Sequence, residues 1–256
     1  MRGVILAGGN GTRLHPLTLV TNKHLLPVYK KPMIYYPIET FRKLGITEIL
    51  IVTSGEYLGH FYRLLRTGSE LGVELHYEIQ EGNDGTGAAL LCAEEFVKDE
   101  DFMVILGDNI VCENIKRFVD DFEDEKKEFK AKILIAKVDD PKKYGVVEFE
   151  GKRITKLVEK PDNPFSNYVN TGLWICQPEV FSLLKKLKKS TRNEYETTDV
   201  LHTYAKEGKL TYGILNSKWT DAGTFEQLYQ ATVLMKELED KAMQRDEVEF
   251  EGGKIG

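Results

Sequence analysis

The stretch VILAGGNGTR sets Gly8, Gly9 and Gly11 directly behind a short apolar run and ends on Arg13. Glycines leave backbone N–H groups bare enough to touch a phosphate, and a guanidinium fork beside them completes a cradle for a polyphosphate. The pattern is not the dinucleotide fingerprint, whose third glycine would fall at Leu14, nor a P-loop, which needs Gly-Lys followed by Ser or Thr. Read alone, it is also a tight turn that requires positive φ. Lys23 stands in TNKHLLPVYKKP, where an apolar LLPV and two prolines stiffen the segment and so fix the ammonium, as a phosphate ligand must be fixed. The alternatives are a solvated lysine and, for His24 beside it, a polar packing residue. Asp108 closes the strongly apolar FMVILGD, a place where an acid suits a hard cation such as Mg²⁺, held by one or two carboxylates together with substrate phosphates. A helix N-cap would also explain it. Glu159 and Lys160 end LVEK just ahead of a proline, as a solvated strand edge would. Asp221, in KWTDAGT, marks a second strand-to-helix junction and is either a cap or a partner for Asp108.

Elements of two kinds must hold these groups. Apolar runs at 4–7, 48–54, 73–79, 102–108 and 131–138 read as strands, and helical patterns near 33–44, 56–66, 86–97 and 114–124 fall between them. This alternation predicts an α/β fold with a parallel or mixed sheet and helices on both faces. The ligand groups then fall at the carboxyl ends of strands, where the crevice of an open sheet lies. Past residue 144 the rhythm changes: YGVVEFE and RITKLVEK, joined at Gly151 and Lys152, form a hairpin. A strand at 171–176, a helix at 178–189, a helix starting at a capping Thr197 and Thr198, and a strand near 210–215 follow. The last helix carries Phe225, Leu228, Ala231, Met235 and Leu238 on one face, and 246–256, acidic and glycine-rich, reads as a tail.

Composition narrows the partners. A net charge of −6 argues against DNA, RNA or an anionic membrane as the main partner, so an anionic ligand must be met by a few local cations. Cys92, Cys112 and Cys176 lie far apart, which suggests neither a disulfide framework nor a zinc site and fits a reducing cytoplasm. No apolar stretch approaches the length of a signal peptide core or a membrane span.

Taken in order, LAGGNGTRL, TNKHLLPVYKKPMIYYP, LGDN, YGVVEF, EKP, NTGLW, TTDV and WTDAGT resemble the sugar-phosphate nucleotidyltransferases over nearly the whole chain, nearest their short thymidylyl-transferring members. The resemblance implies a Rossmann-like, mostly parallel mixed sheet flanked by helices, with an inserted sugar-binding β region. It implies one domain over 1–245, with a nucleotide part at about 1–138, a sugar part at about 139–220 and a closing helix at about 224–244. The implied reaction joins a sugar 1-phosphate, glucose 1-phosphate foremost, to dTTP (or UTP), giving the nucleoside diphosphate sugar and pyrophosphate with Mg²⁺ as cofactor. Leu6, Gly8, Gly9, Gly11, Thr12 and Arg13 match the nucleotide loop, with Lys23 beside it, and Gln80 and Gly85 match the pair that reads the base. Asp108 and Asp221 match the metal ligands, while Tyr144, Gly145, Glu159, Lys160, Asn170, Thr198 and Trp219 match positions around the sugar phosphate. Arg13, Lys23, Lys160 and Asp108 are the expected catalytic set. The chain departs from many long-form members at His24 and Asn170. The resemblance also implies a cytoplasmic homo-oligomer. A non-catalytic nucleotide-sugar sensor and a glycosyltransferase are the competing readings.

The chemistry accounts for these residue types. Two phosphoesters must meet, and each pair of unit charges about 4 Å apart repels by roughly 4 kcal/mol at an effective dielectric near 20. Cations must offset that repulsion. The attacking phosphate oxygen is already ionised at neutral pH, so no Ser, Cys or His nucleophile is required.

Overall fold

The apolar runs at 4–7, 48–54 and 102–108 lack the alternation of a half-exposed strand because the inner part of the sheet is covered on both faces, whereas 73–79 alternates at the sheet's edge. In the computed structural model, which describes residues 1–252 with side chains through Gln244, the chain begins with β1 (Arg2–Leu6), the short β2 (Pro27–Val28) and β3 (Lys31–Pro32), and α1 (Tyr35–Lys43). There follow β4 (Glu48–Ser54), α2 (Leu58–Leu65), β5 (Glu74–Gln80), α3 (Thr86–Leu91), α4 (Glu94–Val97), β6 (Phe102–Leu106), β7 (Asn109–Val111) and α5 (Lys116–Glu125). The second half contributes β8 (Ala131–Lys137), β9 (Gly145–Glu150), β10 (Arg153–Glu159), β11 (Tyr168–Cys176), α6 (Val180–Leu184), α7 (Thr197–Lys206), β12 (Leu210–Ile214), β13 (Trp219–Asp221) and α8 (Phe225–Gly252).

Among the described residues the main sheet has nine strands, ordered β10-β9-β11-β6-β1-β4-β5, with β8 and β12 joining through β11. Strands β6, β1, β4 and β5 run parallel, and β11 joins β6 antiparallel, so the sheet is mixed and mostly parallel on its nucleotide side, as expected. Alternate residues feed two cores. Val4, Leu6, Leu50, Val52, Phe102 and Val104 pack on one face, while Ile5, Ala7, Ile49, Ile51, Met103 and Ile105 pack on the other. The carboxyl ends of β1, β5 and β6 therefore open on one edge, and Gly8, Gln80 and Asp108 stand there.

Several elements differ from the sequence expectation. The helix expected over 86–97 is two, α3 and α4. The helix expected over 178–189 stops at Leu184, where the run Lys185, Lys186, Lys188 and Lys189 places like charges on every continuing turn. Thr197 and Thr198 do not cap α7; both lie inside it, behind Glu196. The closing helix continues to Gly252, through part of the stretch read as a tail, and 253–256 lie outside the described residues. On α8, Ala231 is buried against Val28, Met33, Tyr36 and Ile110, with Leu228 and Met235 beside it, whereas Phe225 is 48% exposed and lies outside the docking face.

Candidate active site

The glycine loop owes its shape to two close approaches. A Cβ on Gly8 would lie 2.5 Å from Gln80 Oε1, and Gly11 has φ 63°, as the turn reading requires. A Cβ on Gly9 would meet only Lys23 Cε at 4.0 Å, which leaves that side of the loop open to a ligand. Behind the loop, Asn22 Nδ2 donates to Ala7 O at 3.1 Å and Asn22 Oδ1 accepts from the His24 backbone N–H at 2.9 Å. Asn22 Oδ1 also lies 2.6 Å from His24 Nδ1, so the imidazole is locked as a packing group. Burial, and then the charge of Lys23, bring the His24 imidazole down to about 3. Fixed in this way, Lys23 places Nζ 2.5 Å from Asp108 Oδ2.

Asp108 caps no helix, because β7 follows it at once. β7 instead pairs antiparallel with β13, setting Asp221 opposite Asn109 and Trp219 opposite Val111. Two acids more than a hundred positions apart are thus brought together, Asp221 on the ladder and Asp108 just before it, its carbonyl accepting from the Ala222 N–H at 2.9 Å. Asn109 ties the ladder together: its Nδ2 lies 3.3 Å from Asp108 Oδ1, and its Oδ1 accepts from Trp219 Nε1 at 2.5 Å. Asp221 does not cap α8 either, since Thr224 Oγ1 accepts from the Gln227 N–H at 3.3 Å. Asp221 Oδ1 accepts instead from Tyr144 OH at 2.9 Å and Gln227 Nε2 at 2.5 Å. Burial opposes the charged form of Asp108, but the Lys23 ammonium, His24 and Arg13 outweigh it and hold the carboxyl below its ordinary value. Burial, and then the negative charge of Asp108, push Asp221 the other way.

Paired oxygen donors with like charge fit a hard divalent cation. Among the described residues no group of three or more His, Cys, Asp or Glu gathers, so the other positions around such an ion would fall to phosphate and water, the usual arrangement for Mg²⁺.

On the sugar side, β10 is the edge strand, and its last residue Glu159 turns inward to accept from Thr198 Oγ1 at 2.7 Å. A Cβ on Gly145 would lie 3.2 Å from Glu159 Oε2 and 3.7 Å from Asn170 Cβ, so these three form one bowl. Asn170 sits just before a register shift in β11, with Gly172 at φ 84°. Its Oδ1 accepts from Gly172 N–H at 3.2 Å and Trp174 Nε1 at 2.9 Å, so Nδ2 is the group left to face the bowl. Lys160, half exposed, stands 3.5 Å from Glu159 Oε1.

Two cavities meet over these residues. One of about 260 Å³ is lined by Leu6, Gly8, Gly9, Gln80 and Gly85. The other, about 590 Å³, is lined by Tyr144, Gly145, Glu159, Lys160, Asn170, Thr198, Trp219 and Asp221. Arg13, Lys23 and Asp108 line both. Gly11 and Thr12 line neither, standing at the start of the turn Thr12–Leu14. The sequence reading missed Arg192, Glu194 and Glu196, which also line the larger cavity and sit in a stretch without regular periodicity. It missed Gln227 too, although Thr224-x-x-Gln227 is a capping-box spacing legible in the sequence.

A glycine loop, a carboxylate pair and a polar bowl thus stand together at one edge of an α/β sheet. The chain belongs to the nucleotidyl transferase family, which it matches over residues 2–237, and among that family it groups with the sugar-1-phosphate nucleotidyltransferases. It is 37% identical to the glucose-1-phosphate thymidylyltransferase of Neisseria meningitidis over 94% of this chain and 84% of that one. It is 40% identical to the enzyme of the same name from Mycobacterium tuberculosis, over 93% and 83%. A crystal structure from Bacillus anthracis, provisionally named for the same activity and holding sucrose, superposes with a TM-score of 0.87 at 43% identity, covering 91% of this chain and 94% of that one. A UDP-glucose pyrophosphorylase bound to UDP-glucose gives 0.82 at 26% identity, over 92% and 98%. No helix among the described residues is long and apolar enough to cross a membrane.

Proposed function

We propose that the protein transfers a thymidylyl group from dTTP to glucose 1-phosphate, giving dTDP-glucose and pyrophosphate by direct in-line displacement. The observation that carries this reading is the junction of the two cavities at Arg13, Lys23 and Asp108. A base in the smaller cavity and a sugar in the larger bring their phosphates together where the cations converge. Gln80 holds its Nε2 on Gly85 O at 3.1 Å, which leaves Oε1 to accept from the imide N–H of a pyrimidine. Backbone N–H groups at Gly8 and Gly9, with Arg13, hold the β- and γ-phosphates, and Lys160 holds the sugar phosphate. Glu159 and Asn170 present an acceptor and a donor to sugar hydroxyls. Asp108 and Asp221 would hold Mg²⁺, which would supply positive charge to polarise the phosphoryl oxygens. Lys23 leaves Asp108 for the triphosphate when substrate enters. On this reading 1–138 form the nucleotide part, 139–220 the sugar part, and the start of α8 closes the site.

Pyrophosphate release measured for dTTP, UTP, CTP and GTP, each crossed with a set of sugar 1-phosphates, tests the reading. The highest kcat/KM is expected for dTTP with glucose 1-phosphate. UTP is expected about 10- to 200-fold behind, because one methyl in an apolar pocket is worth about 1–3 kcal/mol. The structural likeness to a UDP-glucose pyrophosphorylase supports UTP as the second nucleotide. A preference for GTP would overturn the role given to Gln80, and no release with any pair would overturn the reaction.

A further inference from the structure

The first turn of α8 reaches back into the acid pair. Thr224 Oγ1 donates to Gln227 Oε1 at 2.8 Å, so the amide is oriented with Nε2 forward, 2.5 Å from Asp221 Oδ1 and 2.9 Å from Tyr144 OH. Tyr144, edge-on to Trp219 with ring centroids 5.6 Å apart, is held at the other side and donates to the same Oδ1. Both donors therefore sit on one oxygen. Among the described residues no side chain donates to Oδ2.

We propose that Gln227 is a positioning residue that, with Tyr144, saturates Asp221 Oδ1 and turns Oδ2 alone toward the divalent cation shared with Asp108. The inference rests on the reading above, that these two acids hold the metal. It explains why the sequence carries Gln rather than another helix former at the third position of α8. A side-chain amide both accepts from the Thr224 hydroxyl and supplies the donor to Asp221. It also ties metal binding to the seating of α8, since Gln227 reaches Asp221 only when the helix start is packed between β13 and the β2–β3 hairpin.

The test is a water-proton relaxation titration of Mn²⁺ into the full chain with dTTP and no sugar phosphate, so that no turnover occurs. Gln227→Leu and Gln227→Met, which both remove the donor without adding charge, are each expected to weaken Mn²⁺ binding about tenfold. In rate assays the half-saturating Mg²⁺ should rise by a similar factor, while the KM for glucose 1-phosphate stays put and kcat recovers at high Mg²⁺. If Gln227→Leu does not fold, the longer unbranched Gln227→Met gives the answer. Mn²⁺ affinity within twofold of wild type in a folded variant would overturn the inference. Unchanged Mn²⁺ binding in Asp108→Asn and Asp221→Asn would overturn the underlying metal reading instead.

Discussion

His24 shows how a single side chain beside the site ties stability to pH. Its imidazole is buried, bonded to Asn22 and next to Lys23, and it stays neutral in the fold down to about pH 3, whereas in the unfolded chain it takes a proton below 6.5. Between those two values the unfolded state binds the extra proton, so stability is complete above 6.5 and falls as the pH drops toward 3. The slope from this one group is about 1.4 kcal/mol per pH unit within that window. Urea midpoints measured at pH 7 and pH 5 should converge in His24→Gln relative to wild type, and an unchanged pH slope in the variant would remove His24 from the account. The sequence offered a polar packing role as one alternative for His24, and its ring is buried against Asn22. What could not be read was its partner Asn22, because the contact depends on the turn closing over Ala7.

At the level of elements, the inner parallel strands were legible because burial on both faces leaves continuous apolar runs, and their carboxyl ends predicted where Gly8 and Asp108 would stand. The β7–β13 ladder was not legible. Its strands have three residues each, too few to show a period, and their pairing spans a large part of the chain. The glycine loop gives the clearest element-level prediction. In Gly8→Ala the new methyl would lie 2.5 Å from Gln80 Oε1, so the glutamine must swing away and its hydrogen bond to the base is lost. One such bond is worth about 1 kcal/mol, so the KM for dTTP should rise about five- to tenfold with the KM for glucose 1-phosphate unchanged. Initial rates with each substrate varied separately check this. Equal rises in both constants would mean that the substitution disturbs the whole cleft.

The molecule as a whole places two adjoining cavities on one edge of a mixed sheet and lets only Arg13, Lys23, Asp108 and a few neighbours belong to both. Spacing alone exposed the first of these groups. The base pair Gln80 and Gly85, and the sugar bowl of Gly145, Glu159, Asn170 and Thr198, were reached only through the resemblance of whole motifs, because no local pattern marks a side chain whose partner lies in another element. Arg192 and Glu196, joined at 2.7 Å on the far rim, carried no signal of either kind. The central claim is that two mutually repelling phosphoesters are brought together at this junction. A crystal structure of the protein with Mg²⁺, glucose 1-phosphate and the α,β-methylene analogue of dTTP, which cannot release pyrophosphate, tests it most directly. The account predicts a triphosphate over Gly8 and Gly9, the sugar phosphate at Lys160 with an oxygen in line with the α-phosphorus, and a metal at Asp108 and Asp221. A triphosphate seated away from the glycine loop, or a sugar phosphate remote from the α-phosphorus, would contradict it.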